Sequence, residues 1–177
     1  RMTQNVFFES YINKPSTVTI EMNNQLFHVD KKAVEQNGRG GILDILFKQK
    51  ASKVANGEVI SLVGDREKAR QLQTYINYLH YEPFFITEMT LEAIAQEVMD
   101  LVCCGVDLPE ALDHYGAKEA PGDVVGEMLI LMSESFVTTL LNADERGAWK
   151  NILAEGVEWV CTNHPEQVTA NADLFAK

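Results

Sequence analysis

An alternation of polar and apolar residues on both sides of an Asn-Asn pair restricts this chain more than any other stretch. Thr17-Val18-Thr19-Ile20-Glu21-Met22 alternates, Asn23-Asn24 interrupts, and Phe27-His28-Val29-Asp30 alternates again. A period of two is that of a strand with one buried face, and asparagine tolerates the positive φ angles that a two-residue hairpin turn demands. Such a loop sets Met22 opposite Gln25, Ile20 opposite Phe27 and Val18 opposite Val29. The apolar residues then share one face, as a half-buried hairpin requires. His28 falls on the other face, as a solvated side chain.

The stretch that follows predicts a short helix over 31–36, stopped by the breaker run Gly38-Arg39-Gly40-Gly41. Ile42, Ile45 and Leu46 mark a second helix ending in the basic patch Lys48, Lys50 and Lys53. Residues 58–63 read as a third strand between Gly57 and Gly64, and Asp65 is a suitable N-cap for a helix to about His80, with Leu72, Ile76 and Leu79 on one face. Beyond this the chain is helical. Leu91, Ile94, Ala95, Val98, Leu101 and Val102 recur at helical spacing, and Asp107-Leu108-Pro109-Glu110 has the form of a capping box, with Gly116 as the stop. Residues 123–142 predict a helix apolar on most of its circumference, which must be central to a core or clasped by a partner. A last helix over 143–161 carries Trp149, Ile152, Leu153, Val157 and Val160 and stops at Asn163-His164-Pro165. The expected fold class is α+β: a small sheet packed with helices, then an all-helical C-terminal part. The expected organisation is an arm over 1–16, an α+β domain over 17–116 and a helical extension over 117–177 packed on it.

Charge is laid out unevenly along this plan. Residues 1–80 hold eleven Lys/Arg and eight Asp/Glu, whereas residues 81–177 hold four and eighteen, a net of −14. No Lys or Arg occurs between Arg70 and Lys118. Such self-repulsion disfavours nucleic acid and anionic membrane as partners and favours proteins or basic ligands. No apolar run reaches the roughly 18 residues that span a bilayer, no signal segment is visible, and Arg1 before Met2 reads as a tag remnant. Three cysteines are an odd number in a chain large enough to need no disulfide staples. Cys103, Cys104 and Cys161 therefore read as reduced packing residues of a cytoplasmic or nuclear protein.

The order strand–strand–helix–helix–strand–helix–helix–helix resembles the BTB/POZ fold over about residues 17–115. The likeness is carried by Gln25-Leu26-Phe27-His28-Val29-Asp30-Lys31-Lys32-Ala33-Val34, by Ile42-Leu43-Asp44-Ile45-Leu46-Phe47, by Tyr75-Ile76-Asn77-Tyr78-Leu79-His80-Tyr81, and by Val98 to Leu112. That superfamily includes cullin adaptors, elongin C and channel tetramerisation domains, so the resemblance implies an adaptor or oligomerisation module, with a link to ubiquitin-ligase assembly. Cullin-recruiting members carry an apolar-x-Glu element after the helix that ends in Phe. Here Phe47 is followed by Lys48-Gln49-Lys50, a departure that counts against cullin binding and leaves dimerisation open. The residues this reading assigns to a partner surface are Phe47, Lys48, Lys50, Tyr81 and Tyr115, the partner being another protein or a second copy of the chain. A second resemblance, to the last two helices of globins, runs through Tyr115-Gly116-Ala117-Lys118, Val125-Gly126-Glu127-Met128-Leu129 and Ala148-Trp149-Lys150. It implies an alternative, a ligand-binding or sensory domain, with His114 as its haem residue. The proximal-histidine position itself counts back to Leu112.

Other candidates are weaker. Gly38-Arg39-Gly40-Gly41 fits the Gly-x-x-Gly loop of KH modules, but loop glycines commonly serve turn geometry and the chain is acidic. His28, His80, His114 and His164 lack the spacing of a metal site. Acidic pairs such as Glu92/Glu97 and Asp144/Glu145 are inevitable at this density and read as a solvated face, and Ser133 and Ser135 have no histidine pattern nearby. No cofactor and no catalytic motif is indicated. An acidic inhibitor that mimics nucleic acid is a further alternative, opposed by the apolarity of the 123–142 segment.

Overall fold

The computed structural model describes residues 17–80, 89–117, 120–131 and 148–166. It divides into two compact units, one of 1–82 with 103–106 and one of 83–102 with 107–177.

In the first unit, β1 (Thr17–Met22) and β2 (Gln25–Asp30) form the expected hairpin. Val18 pairs with Val29, Ile20 with Phe27 and Met22 with Gln25. Asn23 and Asn24 take φ of 52° and 60°, the left-handed pair that lets the turn follow the strand twist. β3 (Ile60–Leu62) is shorter than the strand expected over 58–63 and lies parallel to β1, giving the order β2-β1-β3. A parallel neighbour requires a crossover, which is supplied by α1 (Lys31–Asn37), α2 (Ile42–Gln49) and α3 (Ala51–Ala55). Val18, Ile20, Met22, Phe27, Val29 and Ile60 are buried. His28, on the other face, is half-buried and shares a 3.2 Å hydrogen bond with Thr19 rather than standing free in water.

α1 begins at Asp30, whose carboxylate accepts from Lys32 N at 3.0 Å. The backbone N–H of Asp30 donates to His80 Nε2 at 3.0 Å, while the other ring nitrogen of His80 lies 2.8 Å from the carbonyl of Ile76. This joins the end of β2 to the end of α4 (Arg66–His80). Asp65 caps α4 as expected, accepting from Lys68 N at 2.9 Å, and Leu72, Tyr75, Ile76 and Leu79 are buried along it. The glycines after α1 are needed for packing on that helix. A Cβ at Gly41 would collide with the Tyr75 hydroxyl, and one at Gly38 would lie 2.8 Å from Leu79. A tyrosine, and not a phosphate, fills the space these glycines leave.

α2 departs from the simplest reading of its sequence. Leu43, Asp44 and Phe47 are buried, whereas Ile42 and Ile45, two of the residues that mark the helix, are 44% and 49% exposed. The basic patch is split: α2 ends at Gln49, and Lys53 belongs to α3.

α5 (Leu91–Cys103), which belongs to the second unit except for Cys103, buries Ile94, Ala95, Val98 and Leu101, and the hydroxyl of Thr90 accepts from Ala93 N at 3.1 Å. α6 (Leu108–His114) starts at Asp107 with Pro109 in the first turn, but the Asp107 side chain makes no capping hydrogen bond, so the expected capping box is absent. Gly116, at φ 72°, closes the helix as expected. α7 (Gly122–Leu131) buries Val124, Val125, Met128 and Leu129; the rest of the predicted 123–142 helix lies outside the described residues. α8 (Ala148–Asn163) stops at the predicted breaker. α7 and α8 interlock through two glycines. The Trp159 ring occupies the space a Cβ on Gly126 would need, and Val125 occupies that of Gly156. Of the cysteines only Cys104 is buried; Cys103 and Cys161 are exposed, so the packing role expected of all three holds for one. No helix among the described residues is long and apolar enough to cross a membrane.

Candidate protein-interaction site

At 100° per residue, α2 has two opposite faces, and each borders a cavity of the first unit. Ile42, Leu43, Ile45 and Leu46 face a groove of about 380 Å³ shared with Met22, Leu62, Leu72, Cys103 and Cys104. Among the described residues, Lys68 is the one charged residue along it. Cys104 donates its thiol to the Gln71 carbonyl at 3.6 Å, which turns the sulfur away from chemistry and into packing.

Asp44, Phe47 and Lys48 face a second groove, of about 450 Å³, walled by Lys31 and Glu35 of α1 and floored by Ala51, Val54 and Ala55 of α3. Arg39 stands at its rim, on the turn between α1 and α2. The organising group is Asp44. Its carboxylate, 6% exposed, accepts from Gly40 N at 2.8 Å and from Lys48 Nζ at 3.1 Å. The Gly40 amide, with the Lys48 ammonium behind it, holds the Asp44 carboxyl below the usual aspartate range. One buried carboxylate thus fixes both the turn that carries Arg39 and the side chain of Lys48.

The structure brings only two of the expected partner residues together. Phe47, 5% exposed, supports the floor of the second groove, and Lys48 lines its wall. Lys50 is exposed at the α2–α3 junction and lines neither groove. Tyr81 lies outside the described residues. Tyr115 is 3% exposed in the second unit, its ring edge-on to His114 at a centroid distance of 4.9 Å. His114 is itself buried, and burial pushes its pKa below the ordinary histidine value. Both rings therefore act as core residues. Among the described residues, no group of three or more His, Cys, Asp or Glu could hold a metal ion.

From sequence, Ile42 and Ile45 read only as markers of a helix and not as surface residues, Arg39 only as part of the Gly38-Arg39-Gly40-Gly41 loop, and Lys31 and Asp44 only as parts of the BTB-like segments. One signal was present: Asp44 and Lys48 stand four apart on a predicted helix, the spacing of a side-chain pair. No protein-family profile, curated protein or solved structure matches the chain.

Proposed function

We propose that the chain is a protein-interaction module of BTB/POZ-like build, an adaptor or an oligomerisation unit that works through α2. The carrying observation is the exposure of Ile42 and Ile45, one turn apart beside an apolar groove, while their neighbours Leu43 and Phe47 are buried. Together with the groove lined by Leu46, Leu62 and Leu72, these two isoleucines make a contiguous apolar patch, the kind of surface that another protein can cover. A hairpin followed by helices, β3 and α4 supports the BTB-like part of the reading, with α3 one helix more than the expected order before β3, and the acidic second half selects against nucleic acid and anionic membrane.

The test is light scattering of the purified chain, joined to affinity capture from a lysate of its source, for wild type and for Ile42→Asp/Ile45→Asp. Wild type is expected to self-associate or to hold a stoichiometric protein partner, and the double variant to lose it with its melting temperature nearly unchanged. A wild-type monomer that retains no protein would refute the reading.

A further inference from the structure

We propose that the groove between α1 and the α2–α3 pair binds an acidic, apolar-flanked segment of a partner protein, with Arg39 as the residue that pairs with its carboxylate. The proposal rests on the protein-interaction reading but uses the face of α2 opposite Ile42 and Ile45, so the two can fail separately.

Charge is the first argument. Among the described residues the groove carries three cations, Lys31, Arg39 and Lys48, against two carboxylates, Glu35 and Asp44. The Asp44 charge is already engaged by Gly40 N–H and Lys48. Glu35 meets Lys31 at 3.8 Å, with both side chains about half exposed, an arrangement that binds weakly in water. Arg39 makes no hydrogen bond or ion pair among the described residues; it adds only the smallest of the attractions that lower the Asp44 pKa, and it stands exposed at the rim. An always-charged guanidinium with a planar set of donors, held on a turn that Asp44 fastens, is suited to a carboxylate.

The floor is the second argument. Ala51, Val54 and Ala55 offer a small aliphatic surface beside the cations. A free phosphate would gain nothing from that surface. Single-stranded nucleic acid binds by stacking bases on exposed aromatic rings, yet Phe47, the aromatic residue of this groove among the described residues, is 5% exposed and presents no ring face. A peptide that places an aliphatic side chain next to Glu or Asp uses both parts of the groove.

The experiment is an amide NMR titration of the full chain. The probes are the blocked peptide Glu-Leu-Glu-Leu-Glu, the same peptide with Gln for every Glu, inorganic phosphate, and an oligouridylate. Expected are saturable shifts centred on the amides of Arg39, Gly40, Lys48 and Val54 with the Glu peptide. Binding should be about tenfold weaker with the Gln peptide, as loss of a charge-assisted hydrogen bond implies. Arg39→Glu should abolish the shifts while leaving the rest of the spectrum in place; if that variant misfolds, Arg39→Gln should weaken binding by a similar tenfold. Equal binding of the Glu and Gln peptides would overturn the proposal. So would shifts centred on Lys50, Lys53 and Arg66, tighter binding of phosphate or oligouridylate, or the lack of saturation at millimolar peptide.

Discussion

Asp44 shows how one residue can organise a surface from beneath it. A carboxylate left buried without partners would be costly, and here it is matched by a backbone N–H and an ammonium. Because these partners favour the ionised form, the native carboxyl titrates below the ordinary aspartate value of about 3.9. The sign follows directly. The stabilisation is complete above that ordinary value and is lost as pH falls through the lowered native one. Asp44→Asn should therefore melt below wild type at pH 7, and the gap should begin to narrow below about pH 4 and close as pH falls through the lowered native value. Parallel melting curves across pH 3 to 7 would show that the carboxylate does not act through its charge. Arg39 presents a contrasting case: among the described residues its charge adds only the smallest of the attractions that lower the Asp44 pKa and makes no hydrogen bond, which leaves its guanidinium to offer to a ligand.

At the level of the element, α2 sorts its apolar residues into two kinds. Leu43 is 1% exposed and Ile45 is 49% exposed. Leu43→Ala should cost about 2–5 kcal/mol of stability through lost burial and the cavity left behind. Ile45→Ala should cost well under about 1 kcal/mol, as surface substitutions do. Denaturant midpoints for the two variants test this, and equal losses would mean that Ile45 is covered in the folded chain. The α7–α8 pair makes a different demand, since its helices approach through Gly126 and Gly156, each facing a large side chain of the other helix. Gly126→Ala must displace the Trp159 ring. Overpacking of this sort typically costs about 1–3 kcal/mol, outweighing the roughly 1 kcal/mol that alanine gains over glycine in a helix. A thermal melt above wild type would contradict the packing described.

For the molecule as a whole, charge is the dominant feature: a net of −11 over the chain and −14 over residues 81–177. Like charges gathered along one part of a chain repel, and salt screens them. Raising NaCl from about 0.01 M to about 0.15 M shortens the screening length from about 30 Å to about 8 Å. The melting temperature should rise over that interval; a fall would mean that attractive pairs outweigh the repulsion. The charge change near residue 80 lies close to residue 82, where the main segment of the first compact unit ends. By itself the sequence determined what depends on neighbours along the chain: the hairpin and its register, the Asn-Asn turn, the Asp65 cap, the Gly116 stop and the breaker after α8. These follow from period and backbone conformation, which are local. Only the tertiary structure decided which residues of α2 go inside, because Ile42-Ile45-Leu46 and Leu43-Phe47 both keep helical spacing and periodicity cannot rank them. It alone buried Asp44, packed Gly38 and Gly41 on Tyr75 and Leu79, and withdrew Tyr115 and His114 into the second unit. Each of these outcomes depends on groups distant in sequence that reach the same space, and burial is a property of that space.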